Sequence, residues 1–177
     1  VTGDPLQRAF ERGTGAARDE TRLRDLIEVV DRARDDDRIR ALVLDLDELA
    51  GAGLPALQDL ARSIGWFREA GKKVYAWGES FDQRQYYLAA HADEVYLDPF
   101  GYLLLEGYGY YRTYLRGTLD KLDVDLHVFK VGSHKSAADT FTRSDMSAED
   151  REQSAIWLGA LWDGYRNDVA SARKLEP

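Results

Sequence analysis

Lys73-Val74-Tyr75-Ala76-Trp77, the segment Gln83 to Ala92, and Glu94-Val95-Tyr96-Leu97 decide the fold. The first and last are short runs rich in β-branched and aromatic residues, and the middle one has helical spacing. A strand, a helix and a second strand in that order predict a crossover unit and a parallel pair. Upstream, Leu57, Leu60, Ile64 and Phe67 recur on one helical face, and Gly71 sits where a C-terminal glycine ends a helix. Gly51, Gly53 and Pro55 break the chain before that helix. Before the break, Ile39-Arg40-Ala41-Leu42-Val43-Leu44-Asp45-Leu46 reads as a buried strand. Leu23, Leu26, Ile27 and Val30 give an amphipathic helix that ends at Asp35-Asp36-Asp37, a solvated helix end.

Downstream, the Gly/Tyr-rich stretch Gly101 to Gly109 shows no clear period. Tyr111 to Leu122 reads as a helix despite Gly117, and Asp125 to Val131 as an alternating strand. A long helix starts near Ser147, where Ser147 and Asp150 form a capping-box pattern. Leu158, Trp162, Tyr165 and Val169 lie on one stripe of it. Strands alternating with helices predict an α/β fold with a mostly parallel sheet. Residues 1–20 read as an arm or linker, 21–146 as the α/β domain and 147–177 as the long helix.

Composition narrows the chemistry. The chain has 177 residues, 24 Lys+Arg, 32 Asp+Glu and a net charge of −8. That acidity disfavours a nucleic-acid backbone as partner. The absence of cysteine excludes disulfides, thiolate metal sites and a thiol nucleophile. No apolar run approaches the roughly 20 residues that cross a bilayer. The opening Val1-Thr2-Gly3-Asp4-Pro5 resembles neither a signal peptide nor an initiator start, so a longer parent polypeptide is expected.

Gly132-Ser133-His134-Lys135-Ser136 lies at a predicted strand-to-helix junction, where α/β proteins gather ligands and catalytic groups. A phosphate loop is excluded, because His134 and Phe129 stand where it needs glycines. A triad of Ser133 or Ser136 with His134 and Asp139 fits by composition only, since triad members seldom adjoin in sequence. A lysine base is physically better. The positive end of a helix dipole and partial burial both disfavour the ammonium, leaving a free amine able to deprotonate a hydroxyl. Taken alone, Lys135 reads first as a solvated surface lysine, because most lysines are exposed.

Gly78-Glu79-Ser80-Phe81-Asp82 nearly matches a nucleophile elbow, with Asp82 in place of the last glycine; the simpler reading is a polar turn capped by Ser80. His91, His127 and His134 lack helical metal-ligand spacing. Asp45, Asp47 and Glu48, at a strand end, suit a hard cation, though carboxylates there more often cap or hydrogen-bond a loop. Tyr86, Tyr87, Tyr102, Tyr108, Tyr110, Tyr111 and Tyr114, with Trp157 and Trp162, are divided between core packing and a contact surface.

Several segments together resemble the bacterial signal peptide peptidases of the SppA type, in their long two-repeat form. They are Ala41 to Leu46 with the Gly/Pro loop after it, Gly71 to Glu79, Gln85 to Ala90, Leu119 to Leu122, and His127-Val128-Phe129-Lys130-Val131-Gly132-Ser133-His134-Lys135-Ser136-Ala137. Arg143 to Ser147 and the Trp-bearing last helix fit as well, so the resemblance runs from about residue 23 to the end. It implies a ClpP/crotonase-like spiral of ββα units with a long C-terminal helix. It also implies peptide-bond cleavage by a Ser-Lys dyad, without metal or cofactor. Lys135 falls on the family's lysine, supplied by the first repeat. The family's serine precedes a Gly-Gly-Tyr-Tyr-like stretch in the second repeat. Here Gln83 precedes Tyr86-Tyr87 at that place, as a first repeat implies.

The resemblance further implies several partners: a second repeat carrying the serine, a homo-oligomer that is a tetramer, and a peptide substrate. It implies no nucleic acid, and a membrane anchor outside this chain that holds the enzyme at the periplasmic face of the inner membrane. Two rival expectations are a non-catalytic assembly module of the same fold and a crotonase-like enzyme acting on acyl-thioesters. The second would need oxyanion donors in a Gly-rich loop, of which Gly51 and Gly53 are a weak version.

Overall fold

The computed structural model describes residues 21–124 and 139–177. The arm at 1–20, the strand expected at 125–131 and the segment Gly132 to Ser136 lie outside the described residues. In chain order the elements are α1 (Leu23–Asp35), β1 (Ala41–Asp45), α2 (Leu54–Glu69), β2 (Lys73–Gly78), α3 (Gln83–Ala90) and β3 (Glu94–Leu97). They continue with α4 (Arg116–Lys121), α5 (Asp139–Thr142) and α6 (Ala148–Arg173). The α/β architecture, the parallel sheet and the long C-terminal helix are those the sequence predicts.

The sheet runs β1-β2-β3, with every pair parallel. Val43 pairs with Tyr75 and Tyr75 with Glu94; Asp45 pairs with Trp77 and Trp77 with Tyr96. The alternate positions Val74 and Ala76 are fully buried, whereas Val43 is 66% exposed. The sheet therefore has one covered face and one face open among the described residues.

The chain divides into two compact units. The first comprises the chain up to Glu106 together with Tyr165–Pro177. Its core gathers Leu57, Ala61, Ile64 and Phe67 from α2, Val74 and Ala76 from β2, Tyr87 to Ala90 from α3, and Tyr165 and Ala170 from α6. Complete burial of a side chain such as Phe67 or Ile64 contributes about 1.5–3 kcal/mol.

Local chemistry sets the helix limits. Pro55 occupies the first turn of α2, where no amide hydrogen is needed. Gly71, at φ +82°, follows the C-cap Ala70 and turns the chain into β2. Lys72 Nζ donates to the carbonyls of Ala33 and Asp36 at 2.7 Å each, satisfying the end of α1. The buried Ser63 hydroxyl donates to Asp31 Oδ1 at 2.9 Å and ties α2 to α1.

The second unit is Gly107–Gly164. Its helix was expected from Tyr111, yet only Arg116–Lys121 is helical. The residues before it bond elsewhere: the Leu115 amide donates to Thr140 O at 2.7 Å, and Arg112 reaches the Tyr110 hydroxyl and Asp150. Edge-on ring pairs, Tyr108 with Trp162 and Tyr110 with Trp157, occupy this unit. At the start of α6 the Asp150 amide donates to Ser147 Oγ at 3.1 Å, which is the capping bond the sequence anticipates. The Asp150 carboxylate is paired with Arg112 at 3.1 Å.

Candidate active site

The carboxyl ends of the three strands meet the amino end of α3, the place where parallel α/β sheets present functional groups. Hydrogen bonds build this edge. The Leu46 amide donates to Trp77 O at 3.1 Å and the Asp98 amide to Gly78 O at 3.2 Å. Asp47 Oδ1 accepts from the Glu79 amide at 2.8 Å, and Asp45 Oδ1 from the Asp47 amide at 3.4 Å. Asp45 thus fixes its own loop, and Asp47 ties that loop to the one after β2. Gln85 Nε2 donates to Leu46 O at 2.9 Å, joining α3 to the end of β1.

The turn between β2 and α3 departs from an elbow. Asp82, and not Ser80, is the N-cap. Its Oδ1 accepts from the Arg84 and Gln85 amides at 2.7 and 2.8 Å, while Gln85 Oε1 accepts from the Asp82 amide at 2.7 Å. Burial raises the Asp82 pKa, but the Gln85 and Arg84 bonds and the Arg84 charge outweigh it, so the carboxyl lies below its ordinary value and caps as an anion. Ser80 Oγ accepts from the Tyr102 amide at 3.3 Å, and Phe81 bridges to Leu103 beside it. Gly101 is required there: a Cβ would stand 1.9 Å from the Glu79 carbonyl oxygen.

Gln83 is the first residue of α3, so the position that resembles the family's serine sits at a strand-turn-helix junction. An amide cannot serve as an alkoxide nucleophile. Lys135 and the motif around it lie outside the described residues, as do His127 and His134. Among the described residues no group of three His, Cys, Asp or Glu could hold a metal ion, and no helix is long and apolar enough to cross a membrane.

The aromatic residues divide into buried and exposed ones. Tyr87 is buried against Tyr165, with ring centroids 5.6 Å apart. Tyr102 and Tyr111 are exposed, as is Phe100 at 99%. Sequence reasoning missed a polar cluster around Tyr87. Its hydroxyl donates to Asp168 Oδ2 at 2.7 Å, Gln58 Nε2 donates to the same oxygen at 2.9 Å, and His91 Nδ1 lies 2.8 Å from Tyr87 O. Burial drives the His91 pKa down, and Arg68 adds to that. The Tyr87 carbonyl and the Asp168 charge only partly oppose it. The available signals were His91 four residues after Tyr87 and the charged Asp168 between Tyr165 and Val169 of the apolar stripe.

Comparison with known proteins follows the same lines. The family described as Peptidase family S49 matches residues 66–177. Protease 4 of Salmonella typhi is 40% identical over 158 residues, covering 89% of this chain and 26% of that protein. Protease 4 of Haemophilus influenzae is 41% identical over 152 residues, covering 86% and 25%. The chloroplastic serine protease SPPA of Arabidopsis thaliana is 27% identical over 137 residues, covering 77% and 20%. The chain spans about a quarter of the length of these relatives.

Proposed function

The chain belongs to peptidase family S49, and on that premise we propose that it is the lysine-bearing first repeat of a serine endopeptidase that degrades cleaved signal peptides. The carrying observation is a family match over residues 66–177 in a chain that spans only about a quarter of its relatives. Gln83 at the start of α3 supports a division of labour, because this repeat has an amide where a nucleophile is needed.

The assembled enzyme holds Lys135 neutral. Its amine takes the hydroxyl proton of a serine in the second repeat as the serine oxygen attacks the peptide carbonyl carbon. The tetrahedral intermediate collapses, the C–N bond breaks, and the leaving amine receives the proton from Lys135. Water then attacks the acyl-enzyme with the same lysine as base, releasing the acid and restoring the serine. Four copies assemble, and an anchor outside this chain keeps them at the periplasmic face of the inner membrane. Lys135→Ala in the full-length protein is expected to lower kcat/KM by at least about a thousandfold. Activity within a few-fold of wild type overturns the assignment. The 177-residue chain alone is expected to resist labelling by a serine-directed phosphonate; stoichiometric labelling would place the nucleophile within it.

A further inference from the structure

A cleft of about 420 Å³ opens in the first unit between α2, α3 and the last turns of α6. Gln58, Arg62, Tyr87, His91, Asp168 and Ser171 line it. Tyr87 and Gln58, both neutral donors, converge on Asp168 Oδ2 at 2.7 and 2.9 Å. They orient the carboxylate and leave Oδ1 outside both bonds. Asp168 takes part in no ion pair among the described residues. Arg62, the cation on the cleft wall, is tied to Asp59 at 3.0 Å.

His91 adds a second acceptor. Its Nδ1 lies 2.8 Å from the Tyr87 carbonyl, and a carbonyl only accepts, so Nδ1 carries the hydrogen. Burial favours the neutral ring, whose Nε2 then holds a lone pair. The Ser171 hydroxyl is a third group able to accept. A recess with several acceptors and one anion, Asp168, in no ion pair among the described residues, its one lining cation, Arg62, being held by Asp59, is complementary to a donor-rich cation. One imidazole and one carboxylate are too few for a resident metal.

We propose that this cleft binds the basic side chain of a peptide, a lysine ammonium or an arginine guanidinium, with Asp168 as the counter-charge. The proposal stands or falls independently of the role assigned to Lys135. Isothermal and NMR titrations of the 177-residue chain with N-acetyl-lysine methylamide test it, with N-acetyl-norleucine methylamide and putrescine as comparisons. Saturable binding of the lysine compound is expected, with shifts confined to the cleft and affinity at least about tenfold above the norleucine compound. Asp168→Asn should weaken it by a similar factor. Ala172→Leu, which fills the cleft and keeps the carboxylate, should do the same if Asp168→Asn fails to fold. Equal affinity for norleucine, or binding unchanged in the variants that fold, overturns the proposal. Tighter binding of putrescine overturns the choice of a peptide as the source of the cation.

Discussion

The Tyr87 hydroxyl and the Asp168 carboxylate meet at 2.7 Å although 81 positions separate them in the chain. The bond fastens the last turns of α6 to α3 inside one unit. Tyr87→Phe removes it without changing ring volume, and Gln58 remains on the same oxygen. The substitution is expected to cost about 1–2 kcal/mol, read from urea unfolding at neutral pH. A change below about 0.3 kcal/mol would mean that the contact adds nothing to stability.

Asp93 supports a second prediction, on acid stability. Its Oδ1 accepts from Arg68 Nε and Nη2 at 3.2 and 3.1 Å, and its Oδ2 from the Val74 amide at 2.8 Å. Burial raises its pKa; the Val74 amide, Arg68 and Lys73 more than reverse this, so the folded value is depressed. The resulting stabilisation is whole above the unfolded-state carboxylate pKa of about 3.9 and is lost as pH falls through the lower folded value. Asp93→Asn should therefore reduce stability at pH 7 by about 1–3 kcal/mol and flatten the acid limb below about pH 4. Parallel acid limbs in variant and parent would refute the role given to this carboxylate.

Gly101→Ala should cost about 1–3 kcal/mol, because the new methyl would meet the Glu79 carbonyl and neither backbone can yield cheaply. Gly51→Ala is the matched comparison, with nothing within 4 Å of its Cβ position and an expected change within about 0.5 kcal/mol. Thermal melts of the pair suffice, and equal Tm values would count against the close approach at Gly101.

Asp82→Ala removes the anion that holds two amides of α3 and should cost about 0.5–2 kcal/mol. Ser80→Ala, which loses only a 3.3 Å bond from the Tyr102 amide, should cost less. Denaturation of both variants ranks them; the reverse order would return the cap to Ser80.

The central unit of the sheet was legible because its signals are local. Apolar runs of four to six residues, the Gly71 stop and helical spacing in between place β2, α3 and β3 nearly where they lie. Ser80 and Asp82 both suit an N-cap by type, and only the backbone geometry chooses Asp82. The helix read from Tyr111 failed where the Leu115 amide and the Arg112 side chain found partners in α5 and α6, which no window of neighbouring residues can reveal. The same reason hides the Gln58, Tyr87 and Asp168 cluster, whose members stand in three separate helices. Lys135 was singled out by a junction argument and a family resemblance, and its surroundings lie outside the described residues.

The first unit also has an order in time. It is built from residues before 107 and finished by Tyr165, Asp168 and Ala170. A ribosome releasing about 5–20 residues per second needs several seconds to cover the roughly 60 residues in between. Throughout that interval α2 and α3 wait with the Tyr87 ring uncovered and the Gln58 amide without its carboxylate. The seam closed by α6 is therefore the last part of this unit to form during synthesis. It is also the part that a prematurely ended chain would lack.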